Sequence, residues 1–262
     1  MNQALRDLIR SAKLWRVWLR LGALDVRMRF RRSLIGPSWI FLSLGITITA
    51  IGYVYSHLLG QDLATFIPFL TAGLVVWGYL TASITEGGNA FVASEGYIKQ
   101  IALPIYVYVF RFFVSVSLTA IFSLAAFFAV ALLFGVRFSA GTLWVLPGLA
   151  ILATASLLLV LILAHVNARF RDAGTLAGVV MQVGFYVTPV IFPPELLLQR
   201  GRQAVVLLNP FYHLMEVVRR PLLNAVPADP VNYLGSLAVL VVLAGCGLLL
   251  MGVYGRRIVF TL

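Results

Sequence analysis

Charge is scarce in this chain. Only 11% of its 262 residues are charged, and only nine of those are carboxylates. A soluble domain carries about a quarter charged residues. With 61% hydrophobic residues and a mean hydropathy of +0.97, a single large soluble core is excluded and a multi-span membrane protein indicated. The one cysteine, Cys246, lies inside a late apolar run. It excludes an internal disulfide or a thiolate metal site and reads as packing. His57, His165 and His213 share no ligand spacing, so no metal is expected. The few acids form no obvious catalytic pair, which weakens an enzyme acting on lipid-linked sugars. A filter-like sequence and a ring of charges are both missing, which weakens a channel. No GxxxxGK[ST] phosphate loop occurs, so no ATP-hydrolysing role is expected of this chain.

What is present is a series of long apolar runs. Six candidate spans emerge: Ser38–Leu59, Phe66–Ile84, Tyr108–Phe134, Leu143–His165, Thr175–Phe192 and Leu234–Tyr254. Each crosses about 30 Å of hydrocarbon as a helix, the fifth only just. Strands fit poorly, because the runs lack alternation, and the halves show no repeat. The first run follows a long basic stretch without a small-residue cleavage site, so it reads as a span rather than a removable signal. Basic residues set the orientation. With the N-terminus inside, Arg6, Arg10, Lys13, Arg16, Arg20, Arg27, Arg29, Arg31, Arg32, Lys99, Arg169, Arg171, Arg256 and Arg257 are cytoplasmic. Only Arg137, Arg200, Arg202, Arg219 and Arg220 lie outside, and Arg111 sits near the inner edge of the third span. Both termini are therefore expected in the cytoplasm. The surplus of +11 addresses anionic lipid headgroups rather than nucleic acid.

Three stretches are unusual. At the N-terminus, Leu5, Leu8, Ile9, Ala12, Trp15 and Leu19 recur at helical spacing opposite Arg6, Arg10, Lys13 and Arg20. That pattern suits a helix in the membrane interface, either a plain anchor or a cuff around an entrance. "EGGNAFVASEGYIKQIALP" (86–104) joins spans two and three on the cytoplasmic side. It contains an amphipathic piece around Glu95–Ile101 and ends at Pro104. "PPELLLQRGRQAVVLLNPFYHLMEVVRRPLLNAVPADP" (193–230) lies outside. Its apolar pieces, Ala204–Leu208 and Phe211–Val218, are too short to span. Two re-entrant helices or an interfacial hairpin both fit. Glu86 and Asp172 stand at cytoplasmic span ends, and "RFRD" reads either as internal ion pairing or as partner contact.

"RFRRSLIGPSW", "FIPFLTAGLVVWGYL", "SEGYIKQIALP", "NARFRD", "TPVIFPPELL" and "LLNPFYHLMEVVRRPLL" stand in that order over residues 29–223. Together they resemble the membrane subunit of ABC-2 type exporters, specifically the Wzm-like permeases for O-antigen, teichoic acid or capsular polysaccharide. The last span is generic. The resemblance implies an all-α integral membrane protein with six transmembrane helices per subunit. An amphipathic N-terminal interface helix, a cytoplasmic coupling helix and external re-entrant helices between spans five and six complete it. Residues 1–35 would be the cytoplasmic basic segment and 36–262 the transmembrane domain. It implies a homodimer bound to two ATP-binding cassette ATPase subunits, with Mg-ATP on those partners and no cofactor in this chain. The cargo implied is an undecaprenyl-diphosphate-linked polysaccharide, moved across the cytoplasmic membrane. A permease for a drug or small lipid is the alternative.

Site expectations follow. Glu95, Gly96, Tyr97, Ile98, Lys99 and Gln100 would contact the ATPase. A diphosphate needs guanidinium forks; Arg29 and Arg32 are three apart, and Arg27 and Arg31 four apart, so each pair shares a helix face. The cluster is also a topology anchor. Arg111 either snorkels to the interface or meets substrate. Aromatic faces suit passing sugars, with Tyr53, Trp77, Tyr79, Phe185 and Tyr186 as pathway candidates. Gln182 joins them, as an amide that seeks water or a helix partner. Asn209, Pro210, Phe211 and Tyr212 would form an external gate.

Overall fold

The computed structural model describes residues 2–31, 33–199 and 201–255, with side chains from Ala4 onward. Among the described residues all regular structure is helical. The helices are α1 (Asn2–Lys13), α2 (Trp15–Arg29), α3 (Ser38–Leu59), α4 (Leu63–Thr85), α5 (Glu95–Gln100) and α6 (Tyr106–Leu133). They continue as α7 (Val145–Arg169), α8 (Ala173–Val187), α9 (Glu195–Gln199), α10 (Gln203–Leu207), α11 (Pro210–Asn224) and α12 (Pro230–Tyr254). Five are long and apolar enough to cross a membrane: α3, α4, α6, α7 and α12.

The fifth expected span, Thr175–Phe192, takes a different form. Its helix, α8, has 15 residues and measures about 22 Å, short of a 30 Å core. Pro189 explains the stop, because the residue before a proline is pushed out of the helical region. Thr188 is accordingly extended, at φ −81° and ψ 139°. The chain from Thr188 to Ile191 is buried. Non-helical backbone at such depth is tolerated only where protein covers it, and here α11 does so. Asn209 donates to the Thr188 hydroxyl at 2.9 Å, and Arg219 donates to the Pro189 carbonyl at 2.8 Å.

α4 is the hub, with α3, α6, α7, α8 and α11 packed around it. In lipid, helices associate through close packing and polar contacts rather than through expulsion of water. Ser83 of α4 meets Ser156 of α7 at 2.6 Å, and Tyr79 of α4 meets Ser117 of α6 at 2.8 Å, each contact contributing about 0.6 kcal/mol. α11 begins on a side-chain cap: the Asn209 carbonyl oxygen accepts from the Phe211 and Tyr212 amides at 3.0 and 3.3 Å. Pro210, with no amide hydrogen to lose, takes the first turn. α11 then lies between α4, α7 and α12 and is buried along most of its length. Gly148 of α7 makes this possible, since a Cβ there would stand 2.0 Å from the Val217 carbonyl oxygen.

At the other end, a smaller cluster joins Ala4, Phe91, Tyr106, Phe110, Val160 and Met251, with Leu8, Trp18 and Ile98 against it. It seats α1, α2 and α5. Of the expected apolar stripe, Leu5, Ile9, Ala12, Trp15 and Leu19 are exposed, while Leu8 packs inward against this cluster.

Candidate functional site

A groove of about 510 Å³ runs between α3, α4 and α8. Its α4 wall is Leu74, Trp77, Gly78, Thr81, Ala82, Thr85 and Glu86, steps of three and four that form one helix face. That wall is about 18 Å long at 1.5 Å per residue. Gly178, Met181, Gln182, Phe185 and Tyr186 of α8 face it, and Leu44 and Thr47 of α3 close a third side.

Four pathway candidates, Trp77, Gln182, Phe185 and Tyr186, thus share one wall-to-wall site. Three of them form an aromatic ladder. The Trp77 ring stands 5.9 Å from Phe185, which stands 5.5 Å from Tyr186. Phe211 of α11 meets Trp77 edge-on at 5.3 Å, so the expected gate begins where the ladder ends. Tyr212, next in the chain, is buried. The structure does not bring Tyr53 and Tyr79 here. Tyr53 is exposed on α3 with its ring 4.8 Å from His57. Tyr79, two residues from Trp77, turns about 200° around the helix and lines an apolar cavity of about 260 Å³ between α4, α6 and α7.

The Glu86 end of the groove is charged. Glu86 pairs with Arg29, both partly exposed. Arg27 and Arg31 line a separate shallow groove against Leu118 and Phe122 of α6, and Arg32 lies outside the described residues. Arg111 is engaged. Its Nε and Nη2 donate to the two carboxylate oxygens of Asp25, each at 2.6 Å, tying α6 to α2. Its guanidinium also lies 5.6 Å from the centre of the Tyr97 ring. Arg111 therefore neither snorkels free nor presents an unoccupied fork.

Tyr97 belongs to α5, where Gly96, Tyr97, Lys99 and Gln100 are exposed while Ile98 packs inward. Lys99 donates to Glu95 at 2.6 Å, and that hydrogen-bonded ammonium holds the Glu95 carboxyl below its usual range. Asn167 braces the connector above α5: its amide nitrogen donates to Asn89 at 2.7 Å and to the Gly88 carbonyl at 3.3 Å, while its oxygen accepts from the Gly174 amide at 3.2 Å. In "NARFRD" the expectation dwelt on the charges. The ion pairs found among the described residues leave out Arg169, Arg171 and Asp172; the asparagine is the connecting residue.

Sequence reasoning also missed a second charge centre, on α11. Arg219, read as an outer-loop cation, is almost wholly buried. It pairs with Glu216 through Nε at 2.8 Å and through Nη2, and lies 4.1 Å over the Phe69 ring. The only signal was a carboxylate three residues earlier on an amphipathic segment.

Residues 17–223 match the family described as "ABC-2 type transporter", which leaves out α12, the generic last span. The chain is 22% identical over 196 residues to the O-antigen export system permease protein RfbA of Myxococcus xanthus, covering 73% of this chain and 74% of that protein. It is 21% identical over 177 residues to the O-antigen export system permease protein RfbA of Klebsiella pneumoniae, covering 66% and 67%. With several apolar helices packed around one lined groove, and a family match over most of its length, the chain belongs to the ABC-2 type transporter family and is a membrane-embedded transport subunit rather than an enzyme.

Proposed function

We propose that this chain is the membrane-spanning subunit of an ATP-driven exporter that moves undecaprenyl-diphosphate-linked polysaccharide of the O-antigen type across the cytoplasmic membrane. The observation that carries this reading is the α4 groove, with guanidinium at one end and an aromatic ladder along its wall. A diphosphate entering sideways from the inner leaflet would meet Arg29, with Arg27 and Arg31 of the same basic segment lining the neighbouring groove, and Arg111 would join them only by releasing Asp25. Exchange at Arg29 costs little, because its present partner is solvated. Sugar rings would then pass the aromatic ladder of Trp77, Phe185 and Tyr186, with Gln182 offering hydrogen bonds. Asn209, Pro210, Phe211 and Tyr212 would border the exit. The names of the relatives support a polysaccharide cargo.

The groove is open along one side, and α3 carries exposed Phe41, Leu42 and Ile46. A second copy would close both, giving a homodimer. Residues 36–262 would form the transmembrane domain, with α8 and its buried extension to Phe192 as a sixth crossing. Residues 1–35 would lie at the inner interface with Leu5, Ile9, Trp15 and Leu19 among the lipid headgroups, and both termini would be cytoplasmic. ABC-2 permeases work with ATPase partners. Here two such subunits would dock on Glu95–Gln100 and supply the Mg-ATP hydrolysis.

Purification from native membranes tests the assembly, with a Walker-type ATPase expected at one copy per chain. Reconstituted into vesicles, the pair is expected to hydrolyse ATP faster when lipid-linked polysaccharide is supplied. Stimulation by hydrophobic drugs or short lipids instead, with none by the polymer, would make the cargo assignment wrong.

A further inference from the structure

A second and larger cavity, about 710 Å³, lies at the Asn209 end of the bundle, between the α3–α4 connection, the start of α4, α9, α11 and the start of α12. Its size falls in the range of ligand-holding clefts, roughly 300–1,000 Å³. The proposed path does not use it. Its wall is built rather than incidental, because Arg219, nearly inaccessible to solvent, fixes one oxygen of Glu216 beside it.

The chemistry of the wall selects a ligand. Both guanidinium groups are already matched to carboxylates, Arg219 to Glu216 and Arg220 to Asp229. Glu195 adds a third carboxylate, so the described charged residues of the wall carry one more acid than base. An anion is therefore disfavoured. The acids accept hydrogen bonds, while the amides of Gln61 and Asn224 both donate and accept. Phe69, partly exposed, adds aromatic surface. Acceptors in excess, amides and a flat apolar face together fit a neutral polyhydroxylated molecule.

We infer that this cavity is a saccharide-binding site, holding a neutral oligosaccharide stretch of the polymer after it has left the groove. The inference rests on the exporter reading above. It separates two tasks along the path: the diphosphate is held by arginines at one end, and uncharged sugar is held by acids and amides at the other.

Site-specific photocrosslinking tests it in cells whose own polysaccharide is radiolabelled through added sugar, with export measured for every variant. A benzophenone side chain replaces Gln61 or Asn224 in the cavity, Tyr186 in the groove, or Leu237 on the exposed face of α12 as reference. Labelled polymer is expected on the Gln61, Asn224 and Tyr186 probes and not on the Leu237 probe. In the Gln61 probe, adding Glu195→Gln with Asn224→Ala is expected to cut capture about tenfold, the ratio that about 1.4 kcal/mol of lost binding gives. Capture at Tyr186 with only reference-level capture at Gln61 and Asn224, while export continues, would overturn the cavity assignment and leave the exporter reading standing. Reference-level capture at all three positions in exporting cells would remove the cargo reading as well.

Discussion

Three of the four guanidinium–carboxylate pairs among the described residues divide the molecule by depth. Arg29–Glu86, at one mouth of the groove, leaves its side chains 40% and 43% exposed. Arg111–Asp25, between α6 and α2, leaves 13% and 19%; Arg219–Glu216, within α11, leaves 1% and 11%. The chemistry is the same in each, so the surroundings decide the job. A solvated pair contributes at most about 1 kcal/mol and is easily exchanged for another anion. Removing one partner of a buried pair strands a charge away from water, so the pair becomes a clamp. Arg219 holds the non-helical end of α8 through the Pro189 carbonyl and cannot be released without losing that cover.

The sharpest challenge to this ranking is Arg219→Ala, predicted to destabilise the protein by about 3–5 kcal/mol. Denaturant titration in detergent measures it, and a midpoint equal to that of the unaltered chain would end the clamp argument. Next comes Asp25→Asn, expected to cost about 1.5–3 kcal/mol, the range for hydrogen bonds to charged groups. Its unfolding should begin with α2, and protection of α2 amides from hydrogen exchange should fall before that of α4. Arg29→Lys should change stability by less than about 1 kcal/mol while slowing export severalfold, because an ammonium keeps the charge and loses the fork. Unchanged export would deny Arg29 its role as diphosphate receiver. The smallest effect belongs to Glu95. Lys99 lowers its carboxyl pKa in the folded chain, so its contribution to α5 is present above the ordinary glutamate range and fades as pH falls through the lowered value. Circular dichroism on acidification should show α5 unaffected near neutrality, and Lys99→Ala should abolish whatever acid-side change remains.

Much of the bundle was readable beforehand because a lipid-crossing helix needs a long apolar run, and such runs are visible without knowing what they touch. Ser38–Leu59 is both the expected run and the helix observed, and α4, α6, α7 and α12 differ from expectation only at their ends. Which way a residue faces was not readable. Trp77 and Tyr79 are both aromatic residues in one apolar run, yet one lines the groove and the other bonds Ser117 on the opposite side. An all-round apolar helix carries no stripe to tell its faces apart. At α11 the difficulty is the opposite. Arg219 reads as an outer-loop cation because it is charged, and only the packing of α4, α7 and α12 around α11 reveals that Glu216 neutralises it inside protein.

The close seating of α11 limits what can move. Its backbone carbonyl at Val217 occupies the space a side chain would need at Gly148, and the His213 ring crowds Gly235 of α12, where a Cβ would lie 2.5 Å away. Contacts this tight leave α11 no room to slide or turn without carrying α7 and α12 along. Asn209, Pro210, Phe211 and Tyr212 are therefore held as firmly as α11 itself, and the His213 ring extends that hold to α10 by meeting the Leu207 carbonyl at 2.8 Å.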